Sequence, residues 1–427
     1  MTAWGQARPF PGNDVQQIYQ RLLPQIEKIP IFDHHAHPGF ADDPDVDAMA
    51  APPGAEALRL RVDNPELVAA AKALWGYPYD DMSDEHAKWL VAKKAETKKK
   101  YPGTAYYNMI LDKVGIEREV ANRAMMAGYL DPKRLPWVFF ADAFMFPFDN
   151  KTLRERNPDQ EVYMPLQEKM LKRWMQQENV STLPENFADY LAFVSRTLED
   201  NQKKGAIGLK FEAAYFRGLQ FGDPSREEAE ALYHKYRAGG APSWKEYLTF
   251  SDYIFRYLVT EGGRLNLPVH IHTSVGIGDY FNITTGHILN LENIVRDPRY
   301  AKTTFVMIHG GYPFEREAIF LAALKNVWLD SSIQELIMYP SEFKRSLKQW
   351  LETFPDKVTF GTDSFPYNEA LGAEESTWLG VQSARMALAS ALAEMVSMGE
   401  VSEQKALALA RGYLHDNAMK IYEGKLH

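Results

Sequence analysis

The chain has no cysteine among its 427 residues, which excludes disulfide staples and thiolate metal sites together. Any metal it holds must sit on nitrogen and oxygen ligands. No stretch reaches the ~20 uninterrupted apolar residues of a membrane span, and the start, Met1-Thr2-Ala3-Trp4-Gly5, has no basic segment followed by an apolar core. A cytoplasmic location is therefore expected. Positive charge is also in short supply: the formal net charge of -9 argues against broad binding to nucleic acid or an anionic membrane. The run Lys93-Lys94 with Lys98-Lys99-Lys100 is a local exception, and it reads as the solvated face of a helix. The expected partner is a small-molecule substrate, with no nucleic acid and no membrane, and a homo-oligomer is left open.

What is present is the composition of an ordinary globular protein, 45% hydrophobic and 25% charged. The stretch 29–38, Ile-Pro-Ile-Phe-Asp-His-His-Ala-His-Pro, is an apolar run ending in histidines at i and i+2. Side chains alternate along a strand, so His35 and His37 are expected on one face and His34 on the other. Two imidazoles converging from one strand end can chelate a divalent metal. The Pro38-Gly39 pair then stops the strand. Residues 41–54 read as an irregular loop, and 64–75 and 84–99 as helices. The section 41–103 is accordingly expected to be a helical insertion after the first strand.

Further apolar runs follow at 119–125, 137–143, 205–212, 267–273, 304–311, 327–330 and 357–364, separated mostly by helical stretches. Eight such runs alternating with helices indicate a parallel sheet buried on both faces. The fold expected is α/β, a (β/α)8 TIM barrel spanning residues 1–427 as one unit. An open doubly wound sheet is the competitor, but it would carry a Gly-rich phosphate loop where the histidines stand.

Several runs end in a polar residue able to bind metal or move a proton: His35 and His37, Lys210, His272, His309 and Asp363. In a parallel barrel those ends surround one mouth. His272 is preferred to His270, which shares its face one step below. His287 either lines the mouth or starts a helix. Arg217 is either a receptor for an anionic substrate group or a surface-loop arginine.

The Asp33-His34-His35-Ala36-His37 element, His272-Thr273-Ser274, His309-Gly310-Gly311 and Gly361-Thr362-Asp363-Ser364 together resemble the amidohydrolase superfamily of metal-dependent barrels. The stretch after His309, with Tyr312-Pro313-Phe314-Glu315, is similar to the amidohydrolase-related group. Gly208-Leu209-Lys210 with Ala214-Tyr215-Phe216-Arg217 resembles the branch fused to glutamine-synthetase-like modules. The resemblance implies one or two divalent ions, zinc first, held by His35, His37, His272 and Asp363. It also implies Asp363 as general base and His309 as polariser of a carbonyl or ligand of a second metal. Lys210 would be either a carboxylated bridge between two metals or a binder of substrate carboxylate, and a buried lysine calls for an anionic partner such as Glu212. The activity implied is hydrolysis of an amide or related C–N or ester bond in a small molecule. The alternatives are nonoxidative decarboxylation of a small carboxylic acid and a catalytically silent barrel used as a binding module.

Overall fold

The apolar runs pair side by side in chain order. β1 (Ile31–Ala36), β2 (Ile116–Asn122), β3 (Trp137–Phe140), β4 (Ala206–Phe211), β5 (Val269–His272), β6 (Phe305–Ile308), β7 (Val327–Asp330) and β8 (Val358–Thr359) form one sheet in the order β1 to β8. Every neighbouring pair is parallel. The computed structural model describes residues 12–38, 57–122 and 130–426. The expected loop at 41–54 and positions 123–125 of the expected second strand lie outside the described residues.

Three backbone hydrogen bonds join the first strand to the stretch after the last. His34 N–H donates to Phe360 O at 2.9 Å, Asp363 N–H to His35 O at 2.6 Å and His37 N–H to Ser364 O at 2.8 Å. The sheet thus closes into the expected (β/α)8 barrel. Its interior is filled by Phe32, Val120, Val138, Ile207, Val306 and Ile308, with Tyr422 stacked on Phe32 at 5.8 Å. The larger apolar core lies between strands and outer helices. Helix Ala373–Ser397 is buried on most of its circumference, as its continuous apolar and small-residue sequence requires.

Between β1 and β2 lie helices Pro65–Trp75, Asp84–Lys100 and Ala105–Val114. The first starts at Asn64, whose side chain accepts from Glu66 N–H, and stops at left-handed Gly76. Two buried cations fasten this section to the barrel. Arg59 Nη1 donates to Glu335 O at 2.7 Å and Ser383 Oγ at 2.9 Å, while its Nε meets Glu66 at 2.6 Å. Lys94 Nζ lies 2.6 Å from Glu375 and 3.4 Å from Glu374.

Lys94 corrects the sequence reading of a solvated lysine face, since it is only 6% exposed. Burial works against its charge, but the two glutamates outweigh it and hold the ammonium above its ordinary pKa. Among the described residues no helix is long and apolar enough to cross a membrane.

Candidate metal centre

The site is built where β1 breaks its own alternation. The pairing of β1 with β2 is irregular between Asp33 and Ala36, so a local bulge replaces the regular pleat expected there. His34 remains inside the barrel, its ring 4.8 Å from that of His270 on β5. His35 and His37 turn toward the mouth with rings 5.3 Å apart, edge to face. Asp33 leaves the site and supports the opposite strand end, accepting from Thr362 N–H at 2.9 Å and Thr362 Oγ1–H at 2.6 Å.

Asp363 is where the two histidines meet. Its Oδ1 is 3.1 Å from His35 Nε2 and 3.0 Å from His37 Nε2. It adopts φ +54°, and His309 adopts φ +69°, a region that non-glycine residues enter only when their surroundings enforce it. In His309-Gly310-Gly311 the enforcement is visible: a Cβ on Gly310 would lie 2.1 Å from the Trp350 ring. Only glycine lets the turn approach that ring and aim His309 at the mouth.

His309 Nδ1 lies 3.0 Å from Ser332 Oγ and 4.0 Å from Asp363 Oδ2. Its Nε2 lies 3.1 Å from His272 Nδ1. His272 turns its other nitrogen to the Val275 carbonyl and packs against the Tyr215 ring at 4.6 Å. Lys210 is fully buried on β4, with Glu212 Oε1 3.9 Å from its Nζ, so one anionic neighbour stands where the buried charge calls for it. Candidate ligand atoms of His35, His309 and Asp363 all lie within 4.8 Å of one another, and all three residues are buried.

The donor set suits a divalent cation. Burial, then the charge of Lys210, pushes His35 down to about 3, so its ring is neutral at pH 7 and carries a nitrogen lone pair. Burial alone would raise Asp363, but the charge of His309 and the hydrogen bonds of His35 and His37 override it and hold the carboxyl well below its ordinary range. Imidazole nitrogens around an ionised carboxylate, without sulfur, are ligands for zinc and similar ions.

Beneath the mouth lies a layer that the strand-end pattern does not reveal. Tyr422 Oη is 2.9 Å from His34 Nε2 and 2.7 Å from His270 Nε2. His34 Nδ1 faces Asp330 Oδ2 at 3.2 Å. Burial keeps His270 neutral, its pKa well below the usual histidine value.

Two other sequence candidates have different occupations. His287 Nδ1 accepts from Leu289 N–H at 3.1 Å and its ring stacks on Phe314 at 3.9 Å, the helix-start role. Arg217 is neither at the surface nor in the histidine cluster. Its guanidinium meets Asp252, Ser251 Oγ at 2.9 Å and the Gln220 carbonyl.

A closed parallel barrel with histidines and an aspartate gathered at its strand ends defines the amidohydrolase superfamily, whose members are generally metal-dependent enzymes acting on small molecules. Residues 194–424 match the family model described as amidohydrolase (Amidohydro_2), and the chain belongs to that family. Over 257 residues it is 25% identical to Protein fluG of Emericella nidulans, an alignment covering 57% of this chain and 28% of fluG; the chain thus matches little more than a quarter of that relative.

Solved structures share the fold, three of them as follows. One is a Lactobacillus casei protein described as a metal-dependent hydrolase, at 16% identity and TM-score 0.60 over 95% of this chain and 99% of that one. The others are glucuronate isomerase from Caulobacter crescentus, at 14% identity and TM-score 0.58 over 99% and 97%, and uronate isomerase from Thermotoga maritima, at 13% identity and TM-score 0.56 over 97% and 100%. At these identities they speak for the fold alone.

Proposed function

We propose that this protein is a metal-dependent hydrolase that cleaves an amide, or a related C–N or ester bond, of a small molecule. The observation that carries the reading is the convergence of His35 Nε2 and His37 Nε2 on one oxygen of Asp363, at 3.1 and 3.0 Å. His35, His37 and Asp363 would hold the ion, zinc by ligand chemistry. His272 or His309, whose facing nitrogens lie 3.1 Å apart, would complete the set.

A bound divalent ion polarises a carbonyl and lowers the pKa of water toward neutrality. The chain supplies the rest. Asp363 is ionised and keeps Oδ2 clear of the two β1 histidines, so that oxygen takes the proton of the attacking water and returns it to the leaving nitrogen or oxygen. His309, steadied by Ser332, would hold the carbonyl oxygen when His272 serves the ion. Lys210 provides a buried positive charge for the oxyanion that develops there.

The test has two parts. Metal analysis of protein purified without chelator should find one or two divalent ions per chain, and protein that neither contains nor takes up zinc would sink the reading. A panel of N-acyl and ester compounds should release amine or alcohol. Carbon dioxide release from carboxylic acids, or interconversion of sugar acids without bond cleavage, would replace the hydrolase assignment with decarboxylase or isomerase.

A further inference from the structure

A cleft of about 410 Å³ opens beside the histidine cluster, lined by segments that follow β3, β4 and β5. One ring separates the two: Tyr215 lines the cleft and lies 4.6 Å from the His272 ring and 5.1 Å from Phe281. Tyr215, Phe281 and Trp244 make its walls aromatic.

The polar groups in this cleft are biased to one kind. Arg156 lies over the Trp244 ring at 4.5 Å and has no carboxylate within ion-pairing distance among the described residues. Asn157 spends its carbonyl oxygen on Asp159 N–H at 3.0 Å, and Asn282 spends its own on the N–H groups of Thr284 and Thr285 at 3.0 and 3.1 Å. Those contacts fix both amides with the NH₂ group as the end left over. Arg217 gives its terminal nitrogens to Asp252, Ser251 and Gln220, while its buried Nε has no acceptor.

Three of the carboxylates nearby are already engaged. Asp252 belongs to Arg217, Asp159 accepts from Tyr280 N–H at 3.0 Å, and Glu155 lies 3.6 Å from Lys151. The cleft therefore offers donors and one guanidinium without a carboxylate partner, and none of its lining residues is acidic. A site of that kind selects an acceptor-only, negatively charged group, and its aromatic walls select a flat or apolar body to carry it.

We infer that this cleft is the specificity subsite for an oxyanion, a carboxylate in the first place, carried by the substrate one ring's width from its reacting bond. The inference rests on the proposed hydrolase reading for what happens at the other end of the molecule. Substrates are then acyl compounds with an acidic terminus on a planar or apolar frame, and Arg156 is the residue that reads their charge.

Binding, which needs no turnover, separates this inference from the hydrolase reading. Calorimetric titration of the metal-loaded full chain with phenylacetate, phenyl phosphate and neutral phenylacetamide should find both anions at least tenfold tighter than the amide. Stronger binding of phenyl phosphate than of phenylacetate would move the assignment from carboxylate to phosphate. Arg156→Gln, at an exposed position, should cost phenylacetate about tenfold and leave the amide unchanged, and Arg156→Lys should recover part of the loss. Carboxylate held on the metal is common to both proteins, so the difference isolates the cleft. Equal affinity for acid and amide, or an Arg156→Gln variant that loses nothing or loses both ligands equally, overturns the inference. Hydrolysis of neutral amides without anion preference would do so while leaving the hydrolase reading in place.

Discussion

The hydroxyl of Tyr422 lies 2.7 Å from Nε2 of His270, deep in the barrel and 152 positions away along the chain. Its second contact, 2.9 Å from His34 Nε2, makes one side chain the joint of a buried polar layer on which the mouth histidines rest. Tyr422→Phe keeps the ring stacked on Phe32 and strands two imidazole nitrogens. A buried polar group without its partner costs about 1–3 kcal/mol. Urea unfolding should find the variant folded and weaker by about that amount; an unchanged midpoint would leave the tyrosine with a packing role only.

Asp363→Asn should fold, because its backbone bond to His35 O and its φ of +54° suit asparagine as well as aspartate. Without the carboxylate, zinc retention should fall, and turnover should drop by at least about 10²-fold, the usual contribution of a positioned base. Elemental analysis and steady-state rates on the same preparation check both. Full activity in the asparagine variant would remove Asp363 from the base role.

Glu119 gives the stability a pH dependence of known sign. It sits beside Asp33 in the register of β1 with β2, with Tyr107 Oη at 3.0 Å and its second oxygen buried without a partner. Burial, then the charge of Asp33, raises its pKa well above the ordinary value. The folded state keeps a proton that the unfolded chain has released, so stability falls as pH rises above the ordinary carboxylate range, by up to about 1.4 kcal/mol per unit. Glu119→Gln removes that dependence. Chemical unfolding should find the variant level with wild type near about pH 4 and increasingly more stable toward about pH 8, whereas parallel curves would contradict the assignment.

Lys94→Met should be among the more damaging substitutions outside the mouth. It leaves Glu374 and Glu375 buried beside each other without their cation, a loss of about 3–5 kcal/mol for a broken buried pair. Combining it with Glu375→Gln should recover part of the stability, which thermal melts would read directly.

Zinc should raise the melting temperature of metal-stripped protein, since only the folded chain brings His35, His37 and Asp363 together. At a hundred times its dissociation constant a ligand of the native state adds about 2.7 kcal/mol. A melt indifferent to zinc would argue against the centre.

The barrel was legible because strands buried on both faces read as continuous apolar runs, and the cluster was legible because chemistry-bearing residues ended those runs. Boundaries were less so. Residues 357–364 read as one strand, yet only Val358–Thr359 pairs in the ladder, because the chain then leaves the sheet to deliver Asp363. β2 starts at Ile116, directly after the left-handed Gly115, earlier than the apolar pattern suggests, since exposed Glu117 interrupts that pattern. His34 facing inward, Tyr422 beneath it and Lys94 in the core depend on a bulge or on partners hundreds of residues away, and neither leaves a local signal. The burial of Arg217 escaped for the same reason: it is set by Asp252, far along the chain on helix Trp244–Arg264.

The bonds that close the barrel between β1 and the stretch after β8 run through His34, His35, His37 and Asp363. The seam of the cask is therefore also its working edge. Cut between β4 and β5, the chain would divide into one half carrying His35, His37 and Lys210 and another carrying His272, His309 and Asp363. Neither half owns a complete set, so parting of the seam disperses the cluster.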